Sequence, residues 1–476
     1  MADVELDLET ADVTQVQDAM TTGAATSAAL VAAYLARIDA LDRRGPAVHA
    51  IRCLAPDAQE QAERLDSERA QGRIRGQLHG IPVLVKDNID VTGLPTTAGT
   101  LGLEHSVPDR DAGLVVRLRE AGVVILGKTN LTEMANFMAE QMPSGYSSLG
   151  GQVLNPYDVS LTPCGSSSGS GAAAALGLAT LTVGTETDGS ILCPSDAQSL
   201  VGLKPGLGAV SGEGILPIAT SQDCAGPMCR TVADAAALLG GLTGTESPEL
   251  RRGALRGVRL AVPPPAEDLD AADRELFDAA LAVLRELGAY TVDVPPLPET
   301  DESPVLHHEF ARDLDAYLAR LPASRPISTM AELVAWNDAH ADAALKYGQA
   351  HLLTALAVDH VADDTAYRAN RARDQAVAGT HGIDATLAAA NAAAVVTPGP
   401  GSAGFAARAG YPSLTVPAGY RRSGRRPFGV AFLGPARSEQ LLLAIGYDYE
   451  QAAQARRPVS AINPSLLRQP GVTRRL

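Results

Sequence analysis

From Val159 to Thr185 the chain carries no charged residue, and this constrains its fold more than any other feature. An uncharged, largely apolar segment of that length has to be buried, either in a bilayer or in protein. Pro163 and the cluster GSSSGSG would break a membrane helix near its start, and Gly177 separates the alanine run from a strand-like LTVG. The segment therefore reads as a helix and a strand inside a large core. Interior strands of an α/β sheet are covered on both faces, so their hydrophobicity can be continuous instead of alternating.

The flanks read the same way. TSAALVAAYLARIDAL starts at a Thr/Ser cap and spaces Leu30, Tyr34, Ile38 and Leu41 as the buried face of a helix. HGIPVLVKDNID reads as a buried strand, DAGLVVRLREAG as a helix ending at Gly122, and VVILG as another strand. Strand, helix and strand in turn predict an α/β fold. Later, VPPPAED and VPPLPET punctuate helical segments, and residues 326 to 394 read as mostly helical. YPSLTVPAG and FGVAFLG read as two strands around RRSGRRP, a solvated turn.

The chain has 476 residues, and 46% hydrophobic against 20% charged residues is the balance of a globular protein. A net charge of -16 repels phosphate backbones and anionic lipid, so neither a nucleic acid nor a membrane is expected as partner. The acidic start MADVELDLETAD lacks the basic, then apolar, pattern of a signal peptide, and a cytoplasmic location is expected. Five cysteines, Cys53, Cys164, Cys193, Cys224 and Cys229, form an odd set without a CxxC pair and read as reduced thiols. Lysine is rare. Lys86, Lys128, Lys204 and Lys346 are the only four, and three of them lie between Leu78 and Gly208. Lysine differs from arginine in being able to lose its proton when buried, so these positions have a chemical reason to resist replacement.

Two motifs mislead. Gly122 to Thr129, GVVILGKT, satisfies the phosphate-loop pattern, but its β-branched and aliphatic middle suits a strand whose N–H groups go to a ladder. Gly165 to Gly169, GSSSG, satisfies GxSxG with Ser167 as nucleophile. Pro163 stands where the feeding strand of that elbow would run, and histidines such as His340 read as packing or capping residues.

A third reading joins GIPVLVKDNI around Lys86, PCGSSSGSGAAAA around Ser166 and GTETDGSILCP around Ser190. A serine hydroxyl must pass its proton to a base, and lysine can be that base only where burial lowers its pKa. A second hydroxyl can bridge the two, and glycine-rich turns let backbone N–H groups converge on an oxyanion. These parts fit acyl transfer from an amide or ester.

With GKTNLTEMANF, NPYD, LVGLKP, SQDCAGPMCRTVADAA and GYPSLTVPAG in this order, the chain resembles the amidase signature family, and within it the peptide amidases. The resemblance implies a mixed β-sheet flanked by helices on both faces, one domain over 1–476 and a signature core over 70–235. It implies Lys86 as general base, Ser166 as bridging serine after a cis peptide, and Ser190 as nucleophile. The backbone N–H groups of Thr187, Asp188, Gly189 and Ser190 would form the oxyanion hole, with Ser167 in support. The implied substrate is a small-molecule or peptide amide, such as a C-terminal carboxamide, and no metal or organic cofactor is called for.

The chain departs from the common pattern at three places. Cys164 and Ser168 replace glycines, Leu192 replaces an arginine after the nucleophile, and the span 398–410 is shortened. Loss of that arginine weakens the parallel with the glutamine-processing component of tRNA amidotransferases. Amide formation or transfer by the same triad, an esterase using Ser167, and a non-catalytic binding protein are the alternatives. The sequence leaves oligomeric state open.

Overall fold

The computed structural model describes residues 6–300, 303–322, 327–421, 425–469, 472 and 475–476. Its strands are β1 (Ile51–Leu54), β2 (Pro82–Lys86), β3 (Val124–Thr129), a small hairpin of β4 (Tyr146–Ser147) and β5 (Gly151–Gln152), β6 (Leu181–Glu186) and β7 (Val201–Lys204). They continue with β8 (Cys224–Cys229), β9 (Arg259–Val262), β10 (Tyr290–Asp293), β11 (Ala394–Pro398), β12 (Ser413–Tyr420) and β13 (Pro427–Leu433). All but the hairpin form one 11-stranded sheet in the order β1-β3-β2-β6-β8-β7-β12-β13-β11-β9-β10.

The sheet is mixed. β2 runs parallel to both neighbours, β3 and β6, and the ladder from β6 through β8, β7, β12 and β13 to β11 is antiparallel. β2, β3 and β6 are buried at every position, which explains their continuous hydrophobicity. The helix Ser168–Leu176 packs against β6, β2 and β8 and is buried throughout. It ends at Gly177, whose φ of 61° is a left-handed conformation that glycine adopts without a Cβ clash. The uncharged segment is thus a core helix and a core strand, in agreement with its sequence.

GVVILGKT contributes β3, which pairs within the sheet, while Gly122 and Val123 N–H donate to the Arg119 and Leu118 carbonyls and Ile125 N–H donates to Gln61 Oε1 at 3.1 Å, so the segment forms no phosphate loop. One irregularity is present. Val83 pairs with Ile125 but Leu84 pairs with Gly127, so Leu126 is an extra residue in β3. The strand lies so close to β1 that a Cβ on Gly127 would collide with the Cys53 carbonyl.

The helix predicted from residue 26 runs over Ser27–Ile38, with the Thr26 side chain accepting from Ala29 N–H. Gly113–Glu120 is helical, as are Met330–Ala339, Ala350–Leu356 and Asp364–Gln375. Of the turn between β12 and β13, residues 422–424 lie outside the described residues. Arg421 at its base is not a free docking cation, because its Nε donates to Asp273 at 2.6 Å.

The expectation of five reduced thiols is wrong for two of them. Cys164 and Cys193 form a disulfide with a Cα separation of 5.8 Å, while Cys53, Cys224 and Cys229 are free. Sequence spacing could not reveal the pair, because the fold brings together a loop cysteine and one in the first turn of the helix Leu192–Ala197, 29 positions apart.

Candidate active site

Lys86 is the last residue of β2, and β2 is an inner strand, so the side chain is fully buried. Its Nζ lies 2.8 Å from Ser166 Oγ, 2.9 Å from Thr185 Oγ1 and 3.2 Å from the Thr185 carbonyl. Burial lowers its pKa from the usual lysine value to about 7, against the opposing pull of Asp223 and Glu186. An ammonium would donate to all three oxygens. A neutral amine has only two hydrogens, which Thr185 can take, and its lone pair then faces the Ser166 hydroxyl.

Ser166 follows a cis peptide bond from Gly165, and its carbonyl accepts from Thr132 N–H at 3.0 Å. Ser167 precedes the buried helix. Its hydroxyl donates to the Thr185 carbonyl at 2.9 Å and accepts from Thr185 N–H at 3.2 Å, while its N–H donates to the Ser190 carbonyl at 3.3 Å. It is buried, and its hydroxyl has backbone partners only, so the esterase elbow with a neighbouring histidine is absent among the described residues. His340 caps and packs as expected, hydrogen-bonding the Trp336 carbonyl at 2.8 Å and stacking on its ring.

Ser190 lies in the turn after β6. Its hydroxyl and the N–H groups of Thr187, Asp188, Gly189 and Ser190 make no hydrogen bond among the described residues. The next two N–H groups, of Ile191 and Leu192, both donate to the carboxylate of buried Glu186, at 2.8 and 3.0 Å. One carboxylate therefore fixes the far side of the turn while its near side keeps four donors unused. The structure joins Lys86 to Ser166 by a hydrogen bond and Ser167 to Ser190 through the backbone. It does not hydrogen-bond the Ser166 and Ser190 side chains to each other.

A cleft of about 440 Å³ opens over this turn, lined by Gly165, Asp188, Gly189, Phe405 and Arg408 among others. Leu192 is fully buried among Met228, Ile383 and Ala403 and does not enter the cleft. The cation at the cleft comes instead from Arg408, inside the shortened span.

Sequence reasoning misses Thr185, Asn88, Glu186 and Asp223. Asn88 donates to Thr185 Oγ1 at 3.0 Å, keeping the lysine's acceptor in place. Asp223 accepts from Thr187 Oγ1 and from the N–H groups of Ile218 and Ala219, and burial raises its pKa to about 7. A partial signal exists, since Thr185 and Glu186 sit in GTETDGS and Asp223 in SQDCAGPM. Among the described residues no group of three or more His, Cys, Asp or Glu side chains is placed to hold a metal ion.

The amidase family model matches residues 29–443. The chain belongs to the amidase signature family. It is 37% identical over 465 residues to a probable amidase of Arabidopsis thaliana, covering 91% of this chain and 88% of that protein. The crystal structure of the peptide amidase of Stenotrophomonas maltophilia superposes with a TM-score of 0.89 at 43% identity, covering 94% of this chain and 98% of that one. A glutamyl-tRNA(Gln) amidotransferase polypeptide from Synechococcus is 32% identical over 90% of this chain and 95% of its own length. The fold is the amidase signature fold expected, and the chain is an enzyme that hydrolyses amide C–N bonds. No helix among the described residues is long and apolar enough to cross a membrane.

Proposed function

We propose that the amidase works through an ester on Ser190, with Lys86 as general base and Ser166 as the relay between them. The observation that carries this reading is a fully buried amine, titrating near neutrality, 2.8 Å from the hydroxyl of a buried serine. Neutral Lys86 takes a proton from Ser166 as Ser166 takes one from Ser190, whose Oγ attacks the amide carbon. The N–H groups of Thr187 to Ser190 receive the oxyanion, and their lack of other partners supports that role. As the C–N bond breaks, the relay returns the proton to the leaving nitrogen, which departs as ammonia or an amine. Water then attacks the ester, gives its proton to the same relay, and the carboxylic acid leaves as Ser190 regains its hydrogen.

The likeness to the Stenotrophomonas enzyme supports a peptide amide, in particular a C-terminal carboxamide, as substrate. A single amidase domain with its signature core at 70–235 belongs to this reading, supported by one apolar cluster that includes residues from Leu6 to Leu466.

Intact-protein mass spectrometry across a panel of amides tests the reading. A trapped ester in the native protein and none in Ser190→Ala is the expected result, and Ser167→Ala should retain the ester. An ester that survives Ser190→Ala contradicts it. The amidotransferase relative favours a second reading in which ammonia or an amine captures the acyl group. Product analysis with added hydroxylamine separates the two, since transfer predicts that hydroxamate outcompetes acid.

A further inference from the structure

Resting on the roles given above to Ser166 and Ser190, we propose that the Cys164–Cys193 disulfide is a reducible brace that holds the nucleophile's turn against the relay serine's loop, so that amide turnover depends on its redox state. Cys164 lies two residues before Ser166, and Cys193 three residues after Ser190. The bond therefore ties the loop of Ser166 to the first turn of the helix Leu192–Ala197, which directly follows the Ser190 turn, and these two segments have to meet for the proton to pass.

The backbone at Cys164 points the same way. Its φ of 53° is in the left-handed region, where glycine is the favoured residue. A cysteine at such a position is accounted for by the bond its side chain makes.

Other ties between the loops lie on the buried side. Ser167 N–H reaches the Ser190 carbonyl at 3.3 Å, and Gln198 Nε2 donates to the carbonyls of Pro163 and Ser168 at 3.1 and 3.2 Å. On the cleft side the four open N–H groups and the Ser190 hydroxyl hold nothing, so the disulfide is the cross-link there among the described residues. Both cysteines are partly exposed and line the cleft. A reductant can reach them, and a substrate in the cleft would cover them. Cys224 and Cys229 are buried, with thiols pushed up by desolvation, and are poorly placed to replace either partner.

The exchange is balanced by a small dithiol. Its thiolate attacks one cysteine sulfur, the protein S–S bond breaks, and a mixed disulfide forms. The second thiol of the reagent closes a cyclic disulfide and releases that cysteine. Two electrons and two protons have then passed to the protein, and a small-molecule disulfide such as oxidised glutathione reverses the step.

The test follows thiol count, turnover and active-site labelling together during titration with dithiothreitol. Alkylation under denaturing conditions should block three thiols before reduction and all five cysteines after it. Turnover on a carboxamide should fall roughly 10-fold or more in kcat, the scale expected when reacting groups are misplaced by a fraction of an ångström or more. KM should change far less, the thermal midpoint should stay above the assay temperature, and oxidised glutathione should restore the rate. Cys164→Ala/Cys193→Ala should sit at the reduced rate and ignore dithiothreitol. A fluorophosphonate should label Ser190 in the oxidised protein and label it more slowly after reduction. Reduction to five thiols with kcat unchanged and the label still on Ser190 overturns the brace alone. A label on another residue overturns the catalytic reading and the brace with it, and five blocked thiols before reduction overturns the disulfide itself.

Discussion

Lys86 and Lys128 stand on adjacent parallel strands, both fully buried, yet they are held in opposite ways. Lys128 lies 3.2 Å from the Asp87 carboxylate and donates to Thr96 Oγ1 and the Pro95 carbonyl. Lys86 has only neutral partners, Ser166 and Thr185. Register explains the difference, because Lys128 pairs with Val85 while Lys86 pairs with Thr129. Paired residues share a face and successive residues alternate, so Lys128 falls on the face of Val85 and Asp87, and Lys86 on the other. Lys128 has a carboxylate beside it and Lys86 has none, and that difference supports the proposed role of Lys86 as base.

The largest expected effect breaks the comparison on the chemical side. Lys86→Ala should lower the rate of Ser190 acylation by about 10²- to 10⁴-fold, read by single-turnover kinetics, with the fold retained. Near-native acylation would leave the base unassigned. Next, Lys128→Ala should destabilise the protein by about 3–5 kcal/mol in urea unfolding, because it strands the Asp87 carboxylate in the core. Equal stability in that variant would mean that the two lysines are not held differently.

The third effect is a matter of pH. Because Lys86 must be neutral to accept a proton and its pKa is lowered to about 7, kcat/KM should fall about tenfold per unit as pH drops below that value. The sign for stability follows from the same shift. Between about 7 and the usual lysine value of 10.5 the unfolded chain holds more protons than the fold, so this residue's contribution to stability improves as pH rises through that window. Lys86→Met should remove that slope and be more stable than the native protein at pH 7, checked by urea titration at two pH values. The smallest effect belongs to Lys346, whose ammonium lies 5.2 Å from the Tyr146 ring and 5.3 Å from the Tyr347 ring. Lys346→Ala should cost about 0.5–1 kcal/mol in the same unfolding measurement.

The scarcity of lysine is the most useful hint in the sequence, and Lys86, Lys128 and Lys204 are all fully buried. Continuous apolar runs are equally legible, since β2, β3 and the helix after Ser167 need no knowledge of their partners to be read as core. What cannot be read depends on the third dimension. Asn88 and Thr185 act through partners distant in the chain, and the motifs that hold Thr185, Glu186 and Asp223 mark the segments without marking what each side chain does. The pairing of Cys164 with Cys193 is hidden for the same reason.

The extra residue in β3 has a consequence for charge. Without Leu126 set aside, continuing the ladder from Val83 and Ile125 would put Lys86 directly opposite Lys128. Two ammonium groups would then stand abreast in the dry interior, and each would drive protons off the other. Setting that one position aside shifts the register of everything after it, placing one amine beside a carboxylate and the other beside a serine. Were Leu126 taken up into the ladder, the enzyme would keep every functional group it has now and lose the separation that gives two identical side chains different partners.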